Sequence, residues 1–496
     1  MQLTQKGKVY ALILLTSALF SISVVTFGFF PYFGLSVSFI AFIFLAYYIK
    51  KDKTPLAKMF FLIALILSVF LAIRSEGGII LLNLGAIFYF GALTLLSEKE
   101  SRLDNWIYIF IAPFFLFSKS LFTKNDYNFE LKNSLTRKEG AEKVINSLVV
   151  TLVTILVLVI IIPLLASVNP FFEKIVSNLI DTLRLRDIKI TEKLFEWSLR
   201  LAFFFFLVLI VPKLATFVNK KSGLSVLSYP SFNLLVPKIA VALVLSLFFV
   251  TQLQLYFSSA QTLQDLGYTY SKYTREVFAQ LSFVAVIILG LIYNDQTKQK
   301  INRNLTVALA IQGLFLTFMA YKSVYEYSMA WGFTYKRLFG FTIATWILGV
   351  FAIYLFTFYR NLGKGIFIVR TLIFSGLVLI AVNALNFDYL IYHFRKASTG
   401  QGVDHKYLTR LSSDSLSYKN QLYEITQISS ETLSESEKNQ AASYGLWMLL
   451  YKIERLQEKY DKLDVRGFNL LEYLQYRQIK DIDTQIVRNK YGLPFR

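Results

Sequence analysis

Twelve apolar runs, each about long enough to cross a bilayer, follow one another through the first 385 residues. A helix needs roughly 17–25 mainly apolar residues to cross the hydrocarbon core. Because short polar segments separate the runs, the pattern predicts an all-α polytopic membrane protein with about 11 or 12 spans. The predicted runs are 9–30, 35–49, 56–73, 79–96, 106–122, 144–166, 197–217, 234–257, 277–293, 304–321, 338–358 and 366–385.

The run 106–122 is the weakest of these, because Pro113 lies inside it and Lys119 lies near its end. If it does not cross, 22 Lys and Arg residues lie on one face of the membrane and 11 on the other; if it crosses, the division is nearly even. Cytoplasmic loops carry the excess of Lys and Arg. The distribution favours eleven crossings, a cytoplasmic N-terminus and an extracytoplasmic C-terminal region.

Residues 170–184, between two of the runs, predict an amphipathic helix. Asn169 and Pro170 have the residue types of a helix N-cap and first helical position. Apolar residues then recur at helical spacing, and charged residues occupy the other face. Two interpretations stay open: the helix lies in the membrane interface, or it packs on neighbouring spans.

The chain changes character after residue 387. Apolar runs shorten, Ser, Asp, Glu, Lys and Gln become frequent, and apolar residues within 443–463 follow a helical period. This predicts two domains: a transmembrane domain over 1–387 and a helical extramembrane domain over 388–496.

Composition supports a membrane protein and excludes several soluble classes. Hydrophobic residues make up 55% of the chain and charged residues 17%, below the roughly 25% of soluble proteins. No cysteine is present, which excludes disulfides and thiolate metal sites, and there are two histidines, His393 and His405. The net charge is +20, of which +18 belongs to residues 1–387. Basic loops of that kind orient spans and bind anionic lipids, so we expect a lipid bilayer and no nucleic acid as partner.

Familiar catalytic motifs are missing from the sequence. It contains no phosphate loop of the GxxxxGK[ST] type, no HExxH and no GxSxG. Neither histidine lies in a span, and no span carries paired aspartates. We therefore assign no catalytic residue, no metal ligand and no cofactor, and the balance leans towards a protein that is not an enzyme.

Charged residues near the spans have structural explanations. Arg200 follows Glu196 by four residues, which predicts a surface ion pair. Lys213 and Lys238 are expected to reach the interface from span ends. Arg74 and Glu76 flank a Gly-Gly turn, which predicts a solvated loop. Small residues such as Gly85 and Gly91 would permit close helix packing.

Three loop clusters remain as candidate functional segments, and the number of spans between them places all three on one face of the membrane. The alternatives are interfacial anchoring with helix caps, or a ligand- or partner-binding site beneath the C-terminal domain. The candidate residues are Thr269, Tyr270, Tyr273, Arg275, Glu276, Glu326, Trp331, Thr334, Arg337, Asp404, His405, Tyr407 and Asp414.

Patterns in these clusters carry a family resemblance. They are Thr269-Tyr270-x-x-Tyr273-x-Arg275-x-x-Phe278, Trp331-Gly332-Phe333-Thr334-x-x-Arg337-Leu338, and Asn386-x-Asp388 with Asp404-x-x-Tyr407-Leu408-x-x-Leu411-x-x-Asp414. In this order they resemble motifs of a family of bacterial polytopic membrane proteins, domain of unknown function 4173. Glu276-Val277 replaces the usual Gly-Phe, and Ser415 replaces Ala. The resemblance implies a multi-span membrane protein and no established activity.

Three functions are compatible with these observations. The leading hypothesis is a non-enzymatic protein of the bacterial inner membrane, a scaffold, sensor or assembly component that binds a protein or lipid partner on one face. The second is a facilitative transporter or channel for a small or lipid-like solute. The third is a transferase acting on lipid-linked substrates through Glu326, Asp404 or Asp414.

Overall fold

The structure, a computed structural model, describes residues 5–26, 29–50, 53–96, 192–219, 235–256, 282, 284–292, 300–394, 404–431 and 435–491. The helices of its membrane part are α1 (Gln5–Val24), α2 (Tyr32–Ile49), α3 (Pro55–Phe70), α4 (Gly77–Leu96), α5 (Glu192–Asn219), α6 (Leu235–Tyr256), α7 (Lys300–Trp331), α8 (Tyr335–Tyr359) and α9 (Lys364–Leu385). Residues 284–292 are also helical.

Seven of these helices are long and apolar enough to cross a membrane: α1, α2, α4, α5, α7, α8 and α9. Helix α3 is apolar and shorter, at 16 residues. No strand occurs among the described residues. The predicted all-α polytopic fold is therefore confirmed. The predicted runs 106–122 and 144–166 and the amphipathic segment 170–184 lie outside the described residues.

Each of the helices α1 to α4 packs on the next one along the chain, and α9 packs on α3 to complete the group. The core between them is apolar and includes Phe60, Leu67, Ile87 and Leu372. A polar contact joins α4 to α9, where the buried side chains of Asn83 and Asn383 donate to each other at 2.8 Å. Each amide thus satisfies its partner inside an apolar bundle, where an unpaired polar group would be costly.

A second group contains α6, α7 and α8, with Phe351 fully buried at its centre. Lys238 near the start of α6 was expected to extend to the interface and does not. Its side chain is fully buried, and Nζ donates to Asn302 Oδ1 (3.2 Å) and Thr306 Oγ1 (2.8 Å) of α7. Packing of α6 on α7 supplies these acceptors, so the ammonium group stays buried between the two helices.

Arg200 is also buried, contrary to the predicted surface ion pair. Helix α5 packs antiparallel on α1, and Arg200 pairs with Glu196 while its Nε donates to Val25 O at 3.1 Å. Arg466 Nη1 donates to Ile22 O of the same helix end at 2.9 Å. The last carbonyl groups of a helix have no partner within the helix, so these two arginines supply donors for them.

Helix α10 (Phe387–His393) follows the last span and packs with Ile79 and Leu338 of the spans. The helices after it form a group with its own apolar core, which we call the C-terminal domain. Its elements are α11 (His405–Leu408), a 3-10 turn (Ser413–Ser415), α12 (Tyr418–Glu431), α13 (Glu435–Asp461), a second 3-10 turn (Val465–Gly467), α14 (Leu470–Ile479) and α15 (Thr484–Lys490). Leu449, Leu450 and Ile453 of α13 form its fully buried centre, with Leu422 of α12 and Ile479 of α14 packed around them.

This domain sits on the end of the bundle at which α1 ends and α4 begins. Leu470 N donates to Ala72 O at 2.8 Å, which joins the start of α14 to the segment after α3. An apolar cluster also crosses the junction, in which Ile79 and Leu338 of the spans pack with Leu408 and Leu411. Buried apolar side chains of this size contribute about 1.5–3 kcal/mol each, so the contact holds domain and bundle together.

Candidate functional site

A buried ion pair lies at the junction of bundle and domain. Arg74 Nε is 3.2 Å from Asp414 Oδ2, and both side chains are at most 2% exposed. Arg74 is the largest fully buried side chain in the described part of the chain. Asp414 Oδ1 also accepts from Ser75 N (2.8 Å) and Ser75 Oγ (2.6 Å). The segment between α3 and α4, predicted as a solvated loop, is thus enclosed by the C-terminal domain.

Asp388, just after α9, is a second buried carboxylate. Its Oδ2 accepts from Ser412 Oγ at 2.6 Å and its Oδ1 from Ser412 N at 3.3 Å. Asn386, with a left-handed φ of 47°, caps α10 through Tyr389 N and donates to Asp414 O at 2.8 Å. Asparagine tolerates this conformation better than most residues, which explains the sharp turn out of the last span.

Burial dominates the electrostatics of both carboxyl groups. It raises the pKa of Asp414 to about 6, although Arg74 and Ser75 act in the opposite direction. Burial also raises the pKa of Asp388, while the hydrogen bond from Ser412 lowers it. The neighbouring Asp388 carboxylate adds to the rise of the Asp414 pKa, because two like charges close together cannot both ionise without cost.

Lys452 of α13 approaches the same region from the domain. Its Nζ donates to Thr409 O (2.7 Å) and Leu411 O (2.8 Å), which fixes the ammonium group above the 410–413 segment. Burial lowers the pKa of Lys452 to about 8, and Asp388 raises it in part.

A cavity of about 330 Å³ opens between these groups. We call its two sides the bundle wall and the domain wall. The bundle wall consists of Ser75, Glu76, Gly77, Tyr335 and Asp388. The domain wall consists of Arg410, Ser412, Ser413, Tyr418, Lys452 and Glu472. Nearly every wall residue carries a side-chain donor or acceptor, so the cavity suits a polar molecule.

Tyr335 of the second predicted cluster lines the cavity, whereas the candidate residues of that cluster make structural contacts elsewhere. Glu326 lies 3.5 Å from Lys322 in a partly exposed pair. Arg337 stacks on the Tyr327 ring at 4.1 Å and donates to Trp331 O at 3.0 Å, so it caps the end of α7. Thr334 occupies the N-cap position of α8 without a side-chain cap bond.

The third cluster contributes more directly. Asp404 caps α11 by accepting from Tyr407 N at 2.9 Å, and His405 is the half-buried first residue of that helix. The Tyr407 hydroxyl accepts from Tyr335 N at 3.1 Å, which joins the second and third clusters. Of the predicted residues, Asp414 belongs to the buried centre of the junction. The first cluster, Thr269, Tyr270, Tyr273, Arg275 and Glu276, lies outside the described residues.

The sequence pattern assigned Arg74 and Glu76 to a solvated loop and did not single out the cavity residues Lys452 and Glu472. Arg74 directly follows an apolar run, which is the usual position of an ordinary boundary charge. Lys452 lies on a helix whose period already explains a charged residue there. A local sequence feature did mark one residue of the bundle wall, because Asp388 belongs to the Asn386-x-Asp388 pattern. Among the described residues, no group of three His, Cys, Asp or Glu side chains could hold a metal ion.

Comparison with known protein families gives a match over most of the chain. The family model described as "Domain of unknown function (DUF4153)" matches residues 60–421. The matched range includes Arg74, Asp388 and Asp414 and ends within α12. Its number differs from the 4173 family that the loop motifs resemble, although each is a domain of unknown function. No curated protein and no solved structure matches the chain.

Proposed function

The chain belongs to the DUF4153 family, and within that family of unknown function we propose that it is a non-enzymatic membrane sensor or scaffold that binds a polar ligand between its bundle and its C-terminal domain. The observation that carries this proposal is the cavity at the junction. Its walls come from segments far apart in sequence, so a molecule bound there would contact the membrane domain and the extramembrane domain together.

Contacts around the cavity support a binding role. The ion pair of Arg74 with Asp414 and the bonds of Asp388 with Ser412 keep their charged groups in place. Fixed polar groups lose little freedom when a ligand binds, which favours affinity. Ligand contacts to both walls would stabilise the docked arrangement, and a ligand can shift a conformational equilibrium through such a difference in affinity.

Placement in the membrane forms part of the proposal. We place the protein in a bacterial inner membrane, with its N-terminus in the cytoplasm and the C-terminal domain outside it. The excess of Lys and Arg on the face opposite the domain supports this orientation. The partner on the domain face would then be a lipid, a small solute or an envelope protein.

Purification of the full chain in lipid nanodiscs tests the function. We expect a polar molecule to be retained, to be identified by mass spectrometry after release and to be chemically unchanged. Arg410→Trp would block the cavity from its exposed edge and should remove the retained molecule. Arg455→Trp, at an exposed position of α13 outside the cavity walls, is the matched control and should retain it.

Three results would contradict the proposal. Equal retention by both variants would place the ligand elsewhere. Conversion of the molecule by the protein would indicate an enzyme such as the transferase considered above. Flux of the molecule across protein-containing liposomes, absent from empty liposomes, would indicate a facilitator.

A further inference from the structure

The charges around the junction cavity are divided between its two walls. The bundle wall carries two carboxylates, Glu76 and Asp388, and no cation. The domain wall carries two cations, Arg410 and Lys452, and one carboxylate, Glu472. Glu472 pairs with Lys459, so its charge is offset locally. The cavity is therefore negative on the side of the spans and positive on the side of the domain.

Several charged groups facing the cavity keep unused bonding capacity. Arg410 is exposed, and its guanidinium forms no ion pair with any residue that the structure describes. Glu76 accepts one bond from Ile79 N at 2.6 Å and pairs with no cation in the described ranges. Lys452 donates to two carbonyl groups, and an ammonium group has three donors.

From this division, and resting on the proposed function, we infer that the ligand of the cavity is a zwitterion of the aminoalkyl phosphate class. Its ammonium group would lie on the bundle wall at Glu76, and its phosphate on the domain wall between Arg410 and Lys452. A simple anion would meet the bundle-wall carboxylates, and a simple cation would meet Arg410 and Lys452. Each would lose part of its attraction to repulsion, whereas a zwitterion satisfies both walls.

The size and place of the cavity agree with this class. At about 30 Å³ for each water molecule, a cavity of about 330 Å³ holds roughly eleven waters. That space accommodates the eight non-hydrogen atoms of phosphoethanolamine with some water. The cavity lies where the apolar helices end. In a bilayer that those helices cross, this position would be at the level of the lipid head groups, so the source can be a lipid or the free head group. Arginine favours phosphate because its planar fork matches two phosphate oxygens.

The test uses the full chain in nanodiscs of anionic phosphatidylglycerol and measures the binding of soluble phosphoethanolamine by calorimetry. We expect it to bind at least tenfold more tightly than inorganic phosphate, ethanolamine or glucose. Arg410→Gln and Glu76→Gln should each weaken binding at least tenfold, and in Glu76→Gln the advantage over inorganic phosphate should disappear. Arg455→Gln and Glu458→Gln change exposed charges of α13 outside the cavity walls and should have no effect.

Nanodiscs that also contain phosphatidylethanolamine distinguish the two sources. Loss of soluble phosphoethanolamine binding there indicates that the lipid head group occupies the cavity, and unchanged binding indicates the free molecule. The inference is overturned if inorganic phosphate or glucose binds equally well, if neither Arg410→Gln nor Glu76→Gln matters, or if phosphoethanolamine does not bind in either disc. The proposed function survives such a result when Arg410→Trp still removes a retained molecule of another class.

Discussion

Arg74 and Asp414 form an ion pair that is fully buried between the membrane bundle and the C-terminal domain, with 3.2 Å between Nε and Oδ2. The two residues lie near opposite ends of the family match, which covers residues 60–421. Their contact fixes the domain over the span ends and places Ser75 and Glu76 in the cavity wall.

Removing one partner should destabilise the protein strongly. Asp414→Leu or Arg74→Met alone leaves a buried charge without its partner, which costs about 3–5 kcal/mol. The double variant removes both charges and should recover most of this loss. Chemical unfolding in detergent, followed by tryptophan fluorescence, measures the coupling. Lys322→Met and Glu326→Leu, at the partly exposed pair of α7, form the control cycle and should couple by at most about 0.5 kcal/mol. Additive effects at Arg74 and Asp414 would contradict the buried pair.

The pH dependence of stability should show a minimum near neutral pH. Burial raises the pKa of Asp414 from 3.8 to about 6, so the folded protein binds more protons than the unfolded chain between these values. The free energy of unfolding then falls as pH rises through that range. Burial lowers the pKa of Lys452 from 10.5 to about 8, so the folded state binds fewer protons there and stability rises with pH above about 8.

Thermal unfolding between pH 4 and pH 10 measures this profile. Asp414→Asn should flatten the acid limb, with Asp388 contributing the remainder, because its pKa is also raised by burial. Lys452→Met should flatten the alkaline limb. A stability maximum between pH 6 and pH 8 in the unmodified protein would show that these groups do not control the junction.

Close helix contacts should respond to alanine at some glycines and not at others. A Cβ atom at Gly313 would lie 2.3 Å from the buried Phe351 ring, and one at Gly349 would lie 2.2 Å from Phe374. Overpacking of this kind costs about 1–3 kcal/mol. Gly85 and Gly91, which the sequence suggested for close approach, have no atom within 4 Å of such a Cβ.

Gly85→Ala and Gly91→Ala are therefore the matched controls. They should be neutral or stabilising by up to about 1 kcal/mol, because alanine favours helix more than glycine does. Melting temperatures of the four variants in one detergent provide the comparison. Equal effects at all four positions would show that the α7–α8 and α8–α9 contacts are placed wrongly.

Described residues on either side of the segment 106–122 predict whether it crosses the membrane. Lys50 Nζ donates to Leu95 O at 3.0 Å, which places the end of α4 on the face away from the C-terminal domain. Arg200, near the start of α5, contacts Val25 on the domain face. This change of face favours an odd number of crossings between the two points, so we predict that 106–122 does not cross.

The absence of native cysteine makes this prediction simple to test. Single cysteines at Lys53, Ser118 and Lys419 are labelled with an impermeant maleimide in intact cells. Lys419→Cys on the domain should label from outside, and the other two should label only after lysis. Labelling of Ser118→Cys together with Lys419→Cys would show that residues 106–122 cross the membrane. Labelling of Lys53→Cys alone would show that the orientation of the chain is the reverse of the predicted one.

The bundle was predictable from the sequence, and the junction was not. Runs of apolar residues specify spans because lipid leaves few alternatives for a polar backbone, and α2, α4, α8 and α9 fall close to their predicted positions. By comparison, the sequence does not show whether a charged loop residue is solvated or buried. Arg74 and Asp388 sit at span ends, where most charges are solvated, and nothing local shows that a domain more than 300 residues further on buries Arg74.

The candidate residues divide in the same way. Asp404 and Arg337 have residue types suited to helix caps, and they make cap contacts that a single chain segment can form. Asp414 looks similar in sequence, within a Ser-Ser-Asp-Ser turn, but Arg74 and Ser75 from the segment between α3 and α4 give it a different environment. Which carboxylate joins a site therefore depends on tertiary contacts that the periodicity of the chain does not encode.

The docking of the domain on the span ends is the central claim, and an engineered disulfide tests it most directly. Ala72→Cys and Leu470→Cys replace residues whose backbones are joined by a bond of 2.8 Å from Leu470 N to Ala72 O. A protease site inserted within 395–403 lets a gel distinguish linked from separate halves. We predict that the pair forms a disulfide in membranes without reductant, whereas Ala72→Cys with Ile486→Cys, on the exposed face of α15, does not. Separate halves in both pairs after oxidation would contradict the docked junction and the site built on it.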